Sequence, residues 1–151
     1  MDEQGRVTVE VAGQDPFVDR AQIAHALGLP EDKIRVKYAA IGGAFGGRED
    51  ISVQIALALA VWRLSQRGIL CAVKIIWSRE ESIIGHCKRH ASYIRAKWGA
   101  DGHGNVLAAK CEIIQDAGAY AYTSREVLGS TVLASTGPYE IPHVKVDAYS
   151  V

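Results

Sequence analysis

Between residues 6 and 12 the chain alternates, with Val7, Val9 and Val11 on one side, the two-residue period of a half-buried strand. Gly13-Gln14-Asp15 breaks that pattern. Pro16 suits the first position of a helix capped by Asp15, and Phe17, Ala21, Ile23, Ala24 and Leu27 recur at roughly helical spacing until Gly28 ends the run. Over residues 33–40, Ile34, Val36 and Tyr38 alternate against Lys33, Arg35 and Lys37, predicting a strand with one charged face. That strand leads into Gly42-Gly43-Ala44-Phe45-Gly46-Gly47-Arg48-Glu49. From Asp50 to about Ser65 the positions of Ile51, Ile55, Leu59 and Trp62, with alanines between them, predict a long, largely buried helix closed by Gly68.

The second half reads less evenly. Residues 71–77 are apolar and branched enough for an interior strand, and Ser78-Arg79-Glu80-Glu81 has the spacing of a capping box opening a short helix that ends near His86. Residues 92–100 and 106–114 flank the turn-rich Asp101-Gly102-His103-Gly104-Asn105, which predicts an antiparallel hairpin. A short helix over residues 126–134 and a last strand from Val144 follow. That strand is still in pattern at Val151, so the sequence reads as cut from something longer. Strands and helices do not alternate strictly, which predicts an α+β fold of mixed sheet layers with packed helices, one domain over residues 1–151.

Composition removes several function classes. The chain has 151 residues, 48% hydrophobic and 23% charged, and its 17 Lys plus Arg balance 17 Asp plus Glu. A net charge of zero leaves no basic surplus for a nucleic-acid backbone or an anionic membrane. The longest apolar run, residues 55–61, falls far short of the roughly 20 residues of a membrane span, and Met1-Asp2-Glu3 opens nothing like a secretory signal, so a cytoplasmic location is expected. Cys71, Cys87 and Cys111 suit a reducing compartment and lack the paired spacing of a zinc or iron-sulfur site. His86, Cys87 and His90 suggest no fourth metal ligand and read as a polar helix end. Trp62, Trp77 and Trp98 read as core or interface anchors.

The glycine turn carries the most chemistry. Four glycines in six residues let the backbone take positive φ and approach a ligand closely, with amides before a helix facing an anion; the alternative is a tight turn that only allows close packing. The spacing is not G-x-G-x-x-G. Gly42 and Gly47 have the separation of a Walker A loop, but Arg48 and Glu49 stand where Lys and Ser or Thr are needed, and Glu49 would repel phosphate. A phosphate- or small-anion-binding module without redox activity remains the rival reading.

Gly-Gly-Ala-Phe-Gly-Gly-Arg-Glu resembles the Gly-Gly-Gly-Phe-Gly-Gly-Lys-Glu signature of the xanthine dehydrogenase and aldehyde oxidase family of molybdenum hydroxylases. Ser78-Arg79-Glu80-Glu81, Asp116-Ala117-Gly118-Ala119-Tyr120 and Pro138-Tyr139-Glu140-Ile141-Pro142 follow in that family's order, so the resemblance covers essentially the whole chain. It implies part of a molybdopterin-binding large subunit that hydroxylates a purine, a related N-heterocycle or an aldehyde with oxygen taken from water. The cofactor would be molybdenum-molybdopterin, including its cytosine dinucleotide form, while iron-sulfur centres and FAD would belong to partner domains or subunits.

The resemblance also assigns residues. Phe45 and Gly46 would lie against the molybdenum centre, Gly43 and Gly47 would shape the turn, and Gln14 would approach the metal's oxo ligand with its amide. No direct ligation of molybdenum by protein is implied. Glu49 matches the substrate-facing Glu of purine-oxidising members, with a first-turn helix Glu as the plainer alternative. Ala44 departs from the commonest signature, and the position of the family's substrate-orienting Arg falls near Ser130, with Arg125 too far upstream. The family's general base belongs to a Gly-Glu segment beyond Val151, so the isolated chain is expected to be inactive. Exposed surface that meets other domains would favour a homodimer.

Overall fold

The computed structural model describes Met1–Val151. β1 (Val7–Val11) and β2 (Ile34–Tyr38) pair in parallel, from Val7 opposite Ile34 to Val11 opposite Tyr38. Parallel neighbours need a crossover, and α1 (Pro16–Leu27) supplies it. Asp15 caps that helix by accepting from the amides of Phe17 and Val18 at 3.1 and 3.0 Å, Pro16 occupies its first turn, and Gly28 ends it in the left-handed region. A 3-10 turn, Glu31–Lys33, leads into β2. Val7, Val9, Ile23, Ala24, Leu27, Ile34 and Ala58 form the core between this sheet and its helices. Ile23 is 0% exposed, and such a side chain contributes about 1.5–3 kcal/mol by leaving water.

Two expectations for the middle of the chain fail. The helix after the glycine turn, α2 (Gln54–Ser65), starts at Gln54 rather than Asp50. Residues 51–53 stay outside the helix, where the Gln54 side chain reaches back and accepts from the Ser52 amide at 2.7 Å. Only Gln54 and Ala58 of α2 are buried, and Leu59 is well exposed, so the helix is not largely buried. Residues 71–77 form no strand. The chain brings no strand alongside them to take up their backbone groups, and Ile76 stands out, 75% exposed. α3 (Arg79–Gly85) follows with the full capping box: Ser78 Oγ accepts from the Glu81 amide, and Glu81 Oε2 accepts from the Ser78 amide.

β3 (Ala91–Ala100) and β4 (Val106–Asp116) make the expected antiparallel hairpin, its turn held by Asp101, which accepts from the His103 and Asn105 amides. α4 (Ser124–Ala134) then carries the chain to β5 (His143–Ser150), which runs parallel to β4, so the sheet order is β3-β4-β5. Ala109, Cys111 and Ile113 are buried on one face of β4, and Gln115 on the same face donates to Thr131 of α4 at 2.9 Å. On the other face the register sets Lys97, Lys110 and Lys145 side by side across all three strands. The elements fall into two compact units, Met1–Lys88 and Arg89–Val151. The architecture is α+β, with one parallel and one mixed sheet.

Candidate functional site

Gly13 opens the loop that carries Gln14, and its lack of a side chain is required by packing. A Cβ there would lie 2.5 Å from both Cζ and Oη of Tyr38, at the end of β2. Tyr38 donates its hydroxyl to Asp19 Oδ2 at 2.8 Å. Burial first, then the Asp19 carboxylate, push the Tyr38 pKa well above the ordinary tyrosine range, so the hydroxyl remains a donor. Asp19 is 5% exposed and its Oδ2 also accepts from Gln54 Nε2 at 3.2 Å.

The glycine turn takes positive φ at Gly43 (131°), Phe45 (52°) and Gly46 (80°), and the Gly47 amide closes it onto the Ala44 carbonyl at 3.0 Å. Phe45 is the one non-glycine residue of the chain in this region. A bulky side chain there is strained, and the ring is also 89% exposed, so neither backbone preference nor core packing explains it. The ring fills the space where a Cβ on Gly43 would stand. Gly42 meets nothing within 4 Å of its missing Cβ, which leaves open backbone on that side of the turn.

Gln14 and Glu49 come together although 35 residues separate them. Gln14 Nε2 donates to Glu49 Oε1 at 2.9 Å, and Glu49 Oε2 accepts from the Arg48 amide at 3.1 Å. Both are exposed. One amide hydrogen and the carbonyl oxygen of Gln14 remain free to face a ligand. Because α2 begins at Gln54, Glu49 is not a first-turn helix residue, and the turn's amides are not those of a helix N-terminus. Sequence reasoning named both residues for separate roles and missed their pairing.

Behind the turn, Gly46, Gly47, Asp50, Ile51, Ser52 and the segment Gly85-His86-Cys87 enclose about 20 Å³, room for little more than one water. The Asp50 carboxylate accepts from the Cys87 thiol, which with burial pushes that thiol up to about 11, while Asp50 Oδ1 is buried without a partner. His86 pairs with Ser82 at 3.2 Å and meets the Trp77 ring at a 55° tilt; burial, then Lys88 and Arg48, hold its pKa below the ordinary histidine range. His90 pairs instead with Ser124 at 2.7 Å. A larger groove of about 660 Å³ in the second unit, against Lys97, Trp98, Lys110, Pro142 and His143, contains none of the expected site residues.

The other motifs lie in that second unit. Asp116 ends β4 and accepts from the Gly118 amide at 2.9 Å, Tyr120 is exposed, and Tyr139 meets Trp98 edge to face at 6.2 Å. Ser130 and Arg125 are exposed on α4. The sequence reading passed over Asp19, Tyr38 and Gln54. Its available signal was spacing: Asp19, Ile23 and Leu27 recur every four residues, which puts a carboxylate on the core stripe of α1.

The first unit thus sets a strained, exposed Phe45 in the same glycine turn as Glu49 of the Gln14–Glu49 pair. The chain belongs to the molybdopterin cofactor-binding domain family, whose pattern matches residues 1–151. It is 39% identical over 147 residues to the nicotinate dehydrogenase large molybdopterin subunit of Eubacterium barkeri, covering 97% of this chain and 33% of that protein. It is 36% identical over 150 residues to a probable xanthine dehydrogenase subunit of Bacillus subtilis (strain 168), covering 99% of this chain and 20% of that one. Among solved structures, the aldehyde oxidoreductase of Desulfovibrio gigas superposes with a TM-score of 0.79 over 100% of this chain and 16% of its own, at 18% identity, a likeness of fold. Reconstituted CO dehydrogenase from Oligotropha carboxidovorans gives 0.67 at 25% identity, over 98% of this chain and 18% of its own.

Proposed function

We propose that this chain forms one wall of the molybdenum-pterin site of a hydroxylase acting on N-heterocycles or aldehydes. The observation that carries the reading is the Gln14–Glu49 hydrogen bond, 2.9 Å long, beside the exposed and strained Phe45. The donor set fits such a group: a free amide hydrogen on Gln14, open backbone at Gly42, and an exposed apolar ring at Phe45. When bound, the cofactor supplies hydroxylation of an sp² carbon with oxygen from water. The protein's own residues then have distinct tasks. Gln14 would donate to an oxygen of the group, Phe45 would cover its apolar side against water, and Gly43, Gly46 and Gly47 would let the backbone come close.

Glu49 would meet the substrate. Its carboxylate accepts from a ring N–H, or when protonated donates to a ring nitrogen, and so orients the heterocycle. The Gln14 amide holds one carboxylate oxygen, leaving the other turned toward Arg48 and open to ligand. No Glu within these residues matches the family's general base, so the isolated chain does not turn over. The remainder of the large subunit, iron-sulfur and flavin partners, a cytosine dinucleotide form of the pterin, a homodimer and a cytoplasmic location complete the proposal.

Two relatives are named for nicotinate and xanthine, so those compounds are the first probes. The full-length protein carrying this chain should hold molybdenum and an organic pterin and hydroxylate one of the two. Gln14→Ala and Phe45→Ala should each lower turnover at least tenfold. A well-folded complete assembly without molybdenum, or unchanged metal content and turnover in both variants, would overturn the reading.

A further inference from the structure

Fifteen residues, 39–53, separate the end of β2 from the start of α2, and the glycine turn lies inside that connection. Its two flanking residues, Tyr38 and Gln54, donate to the same atom, Asp19 Oδ2, at 2.8 and 3.2 Å. Asp19 sits in the first turn of α1, directly after the loop that carries Gln14. Tyr38 reaches that loop too: its ring and hydroxyl occupy the place of a Gly13 side chain, 2.5 Å from where the Cβ would stand. Gln54 extends the hold inward, since its Oε1 accepts from the Ser52 amide at 2.7 Å. Loops that carry function are normally set by a rigid scaffold, and a satisfied buried polar network is a stiff one.

We infer that Asp19, with Tyr38 and Gln54, is a positioning unit that sets the Gln14–Glu49 pair by pinning both ends of the glycine-turn connection and the Gln14 loop to one buried carboxylate oxygen. Tyr38 and Gln54 are positioning residues: they touch neither Gln14 nor Glu49, and act by fixing the backbone on either side of each. The functional weight of the unit rests on the proposed role of Gln14 and Glu49, but the pinning itself is a property of this chain alone. A carboxylate is suited to the task because one oxygen accepts two hydrogen bonds and cannot donate, so both partners must point inward.

The test uses the full-length protein expressed without cofactor, followed by backbone hydrogen exchange read by mass spectrometry. Tyr38→Phe should raise exchange at least fivefold at residues 13–15 and leave residues 51–53 unchanged. Gln54→Leu should do the reverse. Asp19→Leu should loosen both segments together, and Asp19→Asn, which keeps an acceptor oxygen, should restore most of the protection. In the loaded enzyme, Tyr38→Phe should lower kcat more than it changes KM and should alter the Mo(V) electron-resonance signal. Asp19→Leu leaving both segments protected, or raising exchange uniformly through β1 and α1, would overturn the inference. Loosened segments with unchanged turnover would sink the proposed role of Gln14 and Glu49 while leaving the pinning intact; protected segments with a Gln14→Ala variant that is inactive would do the opposite.

Discussion

Adding one methyl group at Gly13 should couple packing to the site more sharply than any larger change. In Gly13→Ala the new Cβ would stand 2.5 Å from Tyr38 Cζ and Oη, about 1 Å inside ordinary carbon contact at roughly 3.5–4.0 Å. The ring cannot simply swing aside, because its hydroxyl is held by the buried Asp19 carboxylate. Overpacking of this kind costs about 1–3 kcal/mol. Tyr38→Val removes the obstruction, and in that background Gly13→Ala should be neutral or stabilising by about 0.4–1 kcal/mol through the unfolded chain. The two substitutions should therefore be non-additive by about 1–4 kcal/mol. Urea melts followed by tryptophan fluorescence, with Trp62 and Trp77 in the same unit, would read this as a midpoint shift of about 0.5–2 M that Tyr38→Val abolishes. Strict additivity, or a Gly13→Ala midpoint equal to the parent's, would refute the packing argument.

Three further outcomes follow from other parts of the first unit. Gly43→Ala puts a side chain at φ 131° and into the Phe45 ring, so it should cost about 1–3 kcal/mol and lower the molybdenum content of the full-length protein, measured per chain by metal analysis. Ser78→Ala removes half of the capping box and should cost about 0.5–2 kcal/mol, with faster amide exchange confined to α3. Cys87 has its pKa raised from 9.0 to about 11, chiefly by its hydrogen bond to Asp50. A raised thiol pKa means the fold favours the protonated form, so this contribution to stability is complete below pH 9 and lost as pH rises through about 11. Iodoacetamide labelling of Cys87 should accordingly accelerate only well above pH 9, and Asp50→Ala should move that rise to lower pH.

Local signals in the sequence carried much of the fold. Asp15-Pro16 and Gly28 bounded α1, the Ser78-to-Glu81 spacing opened α3, and the Asp101-to-Asn105 turn joined β3 to β4, because each depends on residues within a few positions of one another. Residues 71–77 misled for the converse reason. A branched apolar run satisfies the local preference of a strand, but a strand also needs a neighbour, and none in this chain lies beside it. The late start of α2 depended on a side chain, Gln54, turning back onto Ser52, which no periodicity encodes.

The site divided along the same line. The glycine turn, Gln14 and Glu49 were visible as short motifs. The meeting of Gln14 with Glu49 and the convergence of Tyr38 and Gln54 on Asp19 span 19 to 35 residues and arise only once α1 crosses from β1 to β2.

The row of Lys97, Lys110 and Lys145 bears on how copies of this chain meet in solution. Laying that face of one copy against the same face of another would oppose six ammonium groups, while the neighbouring row of Arg95, Glu112 and Asp147 offers only one net negative charge per copy to offset them. The face is thus self-repelling at low ionic strength, and salt weakens that protection as the screening length contracts.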